Sequence, residues 1–288
     1  MHMTDSKIHD QRAIFLAAVC GQTYVQFASE DGSFVVPSPY TVSHIIRAKS
    51  ITNVWETFGF ILEAPEEIII AFRGTVTTTN WISDALASQK KFRYISDNCF
   101  THRGFTAIYS SAREELLRAL GKLPPEKILY VTGHSLGAAL ATLCAVDTAA
   151  NTAFKSPLLY TYGSPRVGDP DFAKACIAYV PNSWRFANTF DVVTLAPPTV
   201  YKVPKRDKRY YYKHVKTLSP LSFQNGGVGD NHVIGSYYAE LAKLDPEFAR
   251  RLNLAYPGFC PSDDTDRENR IKLNGFRAVP YASDPLPR

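Results

Sequence analysis

The sequence predicts an α/β fold, in which a mostly parallel central sheet is flanked by helices. Three observations support this prediction. Short runs rich in β-branched and aromatic residues alternate along the chain with longer segments of helical composition. Residues 68–72 are apolar throughout, as expected for a strand that is buried on both faces of a sheet. The chain has 288 residues, enough for one large domain with a deep core.

The first third of the chain predicts one helix and three strands. Ile14, Ala18 and Val19 recur on one helical face, which predicts a helix over residues 10–28. The next segments are rich in strand-forming residues and are separated by Pro, Gly and acidic residues. These predicted strands cover residues 40–49, 53–63 and 67–72.

The remainder alternates helix and strand. A helix from about residue 105 is stopped after Leu120 by Gly121 and the Pro124-Pro125 pair. The predicted strands that follow are residues 127–132, 158–162 and 184–188, and the predicted helices are residues 138–146, 169–179 and 230–244. This alternation predicts parallel pairing with helices over both faces of the sheet.

The end of the chain differs in composition. Five prolines punctuate a charged, weakly periodic segment after residue 256: Pro257, Pro261, Pro280, Pro285 and Pro287. We therefore expect one domain over residues 1–256 and a tail, residues 257–288, that wraps the surface or is partly disordered.

The charge balance does not indicate a nucleic-acid-binding protein, because the formal net charge is only +5. Part of the basic excess is local, and one acid, Asp207, accompanies it. We expect this segment to be a solvated loop or edge strand, and attraction to an anionic surface such as lipid headgroups is the alternative. Its basic residues are Lys202, Lys205, Arg206, Lys208, Arg209, Lys213 and Lys216.

The cysteines and the N-terminus bear on compartment and cofactors. Five cysteines are an odd number, and no two are spaced like metal ligands. This predicts reduced thiols in a cytoplasmic protein, and the serine chemistry described below needs no metal or organic cofactor. The sequence contains no run of 18 apolar residues, so no transmembrane helix is predicted. The first residues do not resemble a secretory signal, and secretion is the alternative if an upstream signal was removed.

Residues 133–137, Gly-His-Ser-Leu-Gly, indicate the chemistry. They fit Gly-x-Ser-x-Gly, the pattern of a nucleophilic serine on a sharp turn between a strand and a helix. A strand-like run precedes Gly133 and a run of small, helix-forming residues follows Gly137. Ser135 is therefore the predicted nucleophile, against the alternative of a structural turn with an idle serine.

A serine nucleophile needs a histidine to take its proton and an acid to orient that histidine. With this motif the chain order is serine, acid, histidine. Asp191 is the preferred acid because it directly follows a predicted strand. Asp169 and Asp171 are rivals, and capping of a helix start explains Asp169. Asp147 lies on the helix that follows the nucleophile and is badly aimed.

Two histidines follow Asp191. His232 lies in a Gly-rich loop before a helix, whereas His214 lies in an alternating, strand-like run that explains it as a structural residue. We therefore prefer His232 as the base. His134 adjoins the nucleophile and is expected to pack beneath the turn.

The tetrahedral intermediate requires hydrogen-bond donors for its oxyanion. The backbone N–H of Leu136, directly after the nucleophile, is one candidate. Thr75 is the other, because it follows a buried strand and a glycine turn and offers an N–H and a hydroxyl.

These motifs resemble the class 3 lipases, the fungal-type α/β-hydrolases related to the Rhizomucor and Thermomyces lipases. The resemblance spans roughly residues 10–245 and rests on the serine motif, Asp191, His232 and four further runs. These runs are Ala-Phe-Arg-Gly-Thr at 71–75, Asn-Trp-Ile-Ser-Asp at 80–84, His-Arg-Gly-Phe at 102–105 and Thr-Tyr-Gly-Ser-Pro-Arg-Val-Gly at 161–168.

The resemblance implies an α/β-hydrolase fold with a Ser135–Asp191–His232 triad. It implies an oxyanion hole at Thr75 and Leu136, with Asp84 bonded to the Thr75 hydroxyl. It also implies a short lid helix whose apolar face borders the acyl groove and includes Trp81, Ile82 and Leu86.

We therefore expect a serine carboxylic-ester hydrolase that acts on acylglycerols or related lipid esters and contacts a lipid–water interface transiently. Phospholipase A1, feruloyl esterase and short-chain carboxylesterase activities are alternatives on the same scaffold. A peptidase or acyltransferase with the same triad, or a non-catalytic lipase-like interaction protein, are the further alternatives.

Overall fold

A computed structural model describes residues 5–75, 87–203, 207–215, 218–227 and 229–262. Eleven strands lie in these ranges: β1 (Thr41–Lys49), β2 (Trp55–Glu63), β3 (Glu67–Phe72), β4 (Gln89–Lys91), β5 (Phe100–His102), β6 (Ile128–His134), β7 (Leu158–Tyr162), β8 (Ser183–Asn188), β9 (Val200–Lys202), β10 (Arg209–Tyr211) and β11 (Leu218–Leu221).

Seven of these strands form the central sheet, in the order β1-β2-β3-β6-β7-β8-β11. From β3 to β11 every neighbouring pair is parallel, and only β2 runs antiparallel to its neighbours β1 and β3. The prediction of a mostly parallel sheet is therefore confirmed. The other strands form two hairpins, β4–β5 and β9–β10.

Helices cover both faces of the sheet. Their bounds are α1 (Asp5–Ala28), α2 (Arg103–Leu120), α3 (Leu136–Asn151), α4 (Pro170–Tyr179), α5 (Ile234–Ala242) and α6 (Pro246–Ala255). Helices α1, α5 and α6 share one hydrophobic core with the sheet, and α2, α3 and α4 share the other. Along β3, Ile68 and Ile70 face the α2 side while Ile69 faces the α1 side, and all three are fully buried.

The helix predicted over residues 230–244 is shorter in the structure, where it begins at Ile234. The preceding residues form a turn in which the Asn231 N–H donates to the Gly227 carbonyl at 3.2 Å, and side chains add further bonds. The Ser236 hydroxyl donates to the Asp230 carbonyl at 2.9 Å, and Asn231 Oδ1 accepts the Asn225 N–H at 2.8 Å. These bonds hold His232 outside the helix, two residues before its first residue, Ile234.

The first residues of the predicted tail pack against the rest of the domain. Phe259 is buried against α1, and Gln22 donates to the carbonyls of Gly258 and Phe259 at 2.8 and 2.9 Å. The rest of the predicted tail, residues 263–288, lies outside the described residues, as does the predicted lid segment within residues 76–86. The boundary at residue 256 therefore stays a prediction.

Two residues of the basic segment lie in strands β9 and β10, in agreement with the predicted edge strand, whereas Lys205, Arg206 and Lys216 lie outside the described residues. Tyr201 pairs with Tyr210, and the side chains of Lys202 and Arg209 are exposed. No helix in the ranges given above is long and apolar enough to cross a membrane.

All five cysteines lie in described residues and are free thiols. Four are buried, and burial raises the pKa of the Cys20 and Cys99 thiols to about 12. Cys260 is half-buried, and burial raises its pKa as well.

Two histidines, one buried and one half-buried, make the fold sensitive to acid. His102 accepts the Phe105 N–H at the start of α2, and burial lowers its pKa from 6.5 to about 4. His214 contacts the Thr194 carbonyl at 2.8 Å, and burial, assisted by Arg185, lowers its pKa to about 3.

The unfolded chain takes up protons at both histidines below about pH 6.5 while the folded chain stays neutral there. The free energy of unfolding is therefore expected to fall by about 2 kcal/mol per histidine between neutral pH and pH 5. Urea denaturation at the two pH values measures this fall. In the His102→Asn variant the asparagine still caps α2 but does not titrate, so the fall should shrink. An unchanged fall would contradict the assignment to His102.

Candidate active site

Ser135 lies on a sharp turn between β6 and α3. Its backbone angles, φ 59° and ψ −127°, are strained for a residue with a side chain. The flanking glycines make room for the turn. A Cβ on Gly133 would lie 2.3 Å from the Gly137 carbonyl oxygen, and one on Gly137 would lie 2.2 Å from the carbonyl oxygen of Phe72 on β3. Close backbone contacts therefore require glycine at both of these positions of the motif.

The structure brings Ser135, His232 and Asp191 together. The Ser135 Oγ and His232 Nε2 atoms are 2.7 Å apart, and His232 Nδ1 is 2.7 Å from Asp191 Oδ2. A carboxylate only accepts, so Nδ1–H donates to Asp191 and Nε2 accepts from the serine hydroxyl. All three side chains are buried, with Ser135 at 0% exposure. This is the arrangement that a serine nucleophile and its base require.

Asp191 is held by two further donors. It follows β8 and caps the 3₁₀ helix Val192–Leu195, where its Oδ1 accepts the Val193 N–H at 2.9 Å. Its Oδ2 also accepts the Tyr237 hydroxyl at 2.7 Å. Burial, together with the nearby Asp191 carboxylate, raises the pKa of Tyr237 well above its ordinary value. Tyr237 therefore stays protonated and remains a donor to the carboxylate.

Removal of this donor is expected to slow catalysis. In the Tyr237→Phe variant Asp191 loses a charge-assisted hydrogen bond, and kcat should fall roughly tenfold with KM unchanged. The neighbouring Tyr238 is also largely buried but lies outside the triad, so Tyr238→Phe is the matched control. Steady-state kinetics on a soluble ester measures both variants. An equal loss in the two would mean that Tyr237 acts only through stability.

His134 packs beneath the turn, as the sequence predicted. Its Nε2 lies 2.6 Å from the His232 carbonyl oxygen, so this nitrogen carries the hydrogen. Its Nδ1 then accepts the Tyr24 hydroxyl, at 2.7 Å. These contacts tie helix α1 and the backbone of His232 to the residue next to the nucleophile.

Glycine at position 163 leaves space for the triad. Its φ is +57°, and a Cβ there would lie 3.0 Å from Asp191 Oδ2 and 3.1 Å from His232 Cε1. Asn188 ties the two triad loops together, because its Nδ2 donates to the Asn231 carbonyl at 3.1 Å.

The strand end that leads to Thr75 is fixed by Arg73. Arg73 is 2% exposed, and it donates to the Gly74 carbonyl at 2.8 Å and to Glu56 at 3.0 Å. Its guanidinium stacks 3.7 Å from the centre of the Phe27 ring. Within the described ranges the buried Thr75 hydroxyl has no hydrogen-bond partner. Leu136 is the first residue of α3, and the first N–H groups of a helix have no partner within it.

The rejected candidates lie outside the triad. His214 contacts the Thr194 carbonyl, Asp169 accepts the Phe172 N–H at the start of α4, and Asp171 lies in the first turn of that helix. Asp147 is fully buried and pairs with Arg113. Four predicted residues, Trp81, Ile82, Asp84 and Leu86, lie outside the described residues.

Residues 69–201 match the family model described as Lipase (class 3). A secreted mono- and diacylglycerol lipase A from Penicillium cyclopium is 35% identical over 162 residues, which are 54% of this chain and 51% of that protein. The chain is similar to the class 3 lipases over these residues.

Two further comparisons find similar proteins. Phospholipase A1-IIgamma from Arabidopsis thaliana is 32% identical over 231 residues, 66% of this chain and 54% of that protein. A solved structure of an MDLA variant from Penicillium cyclopium superimposes with a TM-score of 0.62 at 26% identity, and covers 78% of this chain and 84% of that one. The fold is the α/β-hydrolase fold. The chain spans about half the length of the curated relatives it matches.

Proposed function

We propose that this protein is a serine carboxylic-ester hydrolase that acts on acylglycerols. The observation that carries the proposal is the hydrogen-bonded sequence from Ser135 through His232 to Asp191 behind a strained turn. The Penicillium relative, named a mono- and diacylglycerol lipase, supports the choice of substrate.

The reaction begins when Ser135 Oγ attacks the ester carbonyl and His232 Nε2 accepts the serine proton. Asp191 orients the ring and stabilises the imidazolium that forms. The Leu136 N–H and the Thr75 N–H and hydroxyl stabilise the oxyanion. His232 then gives the proton to the departing alcohol, and an acyl-enzyme remains. Water attacks this ester by the same route and releases the fatty acid. Because Ser135 is fully buried, an ester reaches it only after covering atoms move.

The test is hydrolysis of p-nitrophenyl esters from acetyl to palmitoyl, with the Ser135→Ala variant as control. We expect preference for medium or long chains and loss of activity in the variant. Preference for acetyl would favour a general esterase. An inactive wild type, or activity that survives Ser135→Ala, would overturn the proposal and favour a non-catalytic interaction protein.

Phospholipase A1 activity is the second candidate, supported by the alignment of 231 residues with the Arabidopsis phospholipase. Release of fatty acid from the sn-1 position of phosphatidylcholine, compared with diacylglycerol in mixed micelles, separates the two activities. The Penicillium relative is named as secreted, which supports the secreted alternative over the cytoplasmic expectation drawn from the cysteines.

A further inference from the structure

Eight basic side chains lie along two neighbouring hairpins and the start of α2. The hairpins are joined by side-chain bonds: Gln89 donates to the Tyr211 carbonyl at 2.7 Å, and the Tyr212 hydroxyl donates to the Ala87 carbonyl at 3.0 Å. We call these eight residues the basic edge. They are Lys90, Lys91, Arg93, Arg103, Lys202, Lys208, Arg209 and Lys213.

Among the residues that the structure describes, none of the eight forms an ion pair. Arg113, in the same helix as Arg103, shows the contrast, because it pairs with Asp147 at 2.6 Å. Unpaired charges of one sign create a positive potential that attracts anions.

A cleft of about 510 Å³ opens within the basic edge between β4 and α2. Four cations and three hydroxyl-bearing residues line it, and the first turn of α2 contributes the positive end of the helix dipole. Such a lining suits a phosphate group. The four cations are Lys90, Lys91, Arg93 and Arg103.

The basic edge lies near the end of the sheet that carries the catalytic groups. Gly163 packs against Asp191 and His232, and five residues later Gly168 pairs with Thr101. Those five residues span at most roughly 17 Å. Thr101 in turn pairs with Lys90 of the cleft.

Exposed apolar side chains accompany both the basic edge and the acid of the triad. Val192 and Leu195, in the 3₁₀ helix that Asp191 caps, are 44% and 60% exposed, and Val200 and Tyr211 in the β9–β10 hairpin are 48% and 52% exposed. Three of these four exposed side chains are aliphatic and offer no π-face on which a nucleic-acid base could stack. Basic residues mixed with aliphatic and aromatic ones are typical of surfaces that bind an anionic lipid interface.

We propose that the basic edge docks this protein on an anionic phospholipid surface, with a headgroup phosphate in the cleft. The apolar residues then enter the headgroup layer, and the catalytic side of the sheet faces the lipid. This extends the proposed function by naming the surface on which the enzyme works. It does not depend on hydrolysis, because docking is a binding event.

The experiment measures binding of the Ser135→Ala protein to phosphatidylcholine vesicles with and without phosphatidylglycerol. Binding independent of hydrolysis separates this inference from the proposed function. We expect binding to the anionic vesicles, weak binding to neutral ones, and weakening as salt is raised well above about 0.1 M. Each basic residue near such a surface strengthens binding roughly fivefold. The Lys91→Glu/Arg93→Glu double variant should therefore bind at least roughly 30-fold more weakly.

The matched control is Lys122→Glu/Lys155→Glu, which changes the net charge equally. Both lysines are exposed, and they precede β6 and β7, at the opposite end of these strands from the catalytic groups. Unfolding midpoints verify that each variant is folded. Equal weakening in both double variants, or equal binding to neutral vesicles, would overturn the proposal. Binding to a DNA duplex without affinity for the vesicles would overturn it too and point to nucleic acid.

Discussion

The His232→Ala variant is expected to lose roughly four to six orders of magnitude in kcat for ester hydrolysis. His232 Nε2 is the only ring nitrogen in the described structure that contacts Ser135 Oγ, at 2.7 Å. Without it, the serine hydroxyl keeps its proton, and the remaining catalysis comes from oxyanion donors and binding. Steady-state kinetics on a soluble p-nitrophenyl ester measures the loss.

His214→Ala is the matched control, because His214 is the other histidine that follows Asp191 in the chain. It contacts the Thr194 carbonyl and not the serine. Folded His214→Ala protein should keep kcat within a few-fold of the wild type. Should activity instead survive His232→Ala and vanish in His214→Ala, the assignment of the base would be wrong.

The Gly137→Ala variant is expected to lower the free energy of unfolding by more than about 3 kcal/mol. The added Cβ would lie 2.2 Å from the Phe72 carbonyl oxygen and 2.7 Å from the Arg73 carbonyl carbon, both backbone atoms. Backbone cannot move aside as a flexible side chain does, so α3 and β3 must separate. The same shift would pull Ser135 away from the strand end that leads to Thr75. Urea denaturation measures the loss of stability.

Gly121→Ala provides the comparison. Gly121 has ordinary helical angles, φ −64° and ψ −9°, and the nearest atom to an added Cβ is 3.4 Å away. Its stability should stay within about 1 kcal/mol of the wild type. If Gly137→Ala were equally mild, close backbone approach would not explain the second glycine of the motif.

The sheet and the serine turn could be predicted from sequence because their signals are local. Residues 68–72 are apolar throughout, and glycine stands at the two positions beside the Ser135 turn where a side chain would clash with backbone atoms. Asp191 and His232 could be ranked because each lies where an element ends or begins.

Other features depend on contacts between distant segments. Tyr237 lies 46 residues from Asp191, and Tyr24 lies 110 residues from His134, so only packing of helices α5 and α1 reveals their roles. Strand β11 escaped prediction because it contains Pro220, which is tolerated at the edge of a sheet. Helix α6 was also not predicted, although Asp245 followed by Pro246 is a sequence pattern typical of a helix start.

The burial of the native thiols has a practical consequence. Thiolate is the form that reacts with maleimides, and the raised pKa of Cys20 and Cys99 suppresses it at neutral pH. Cys260, half-buried and with its pKa also raised, is the position to check for background labelling. A single cysteine introduced at exposed Lys91 should accept a fluorophore selectively in the otherwise native chain. Fluorescence from that position would report the depth and orientation of the protein on a vesicle.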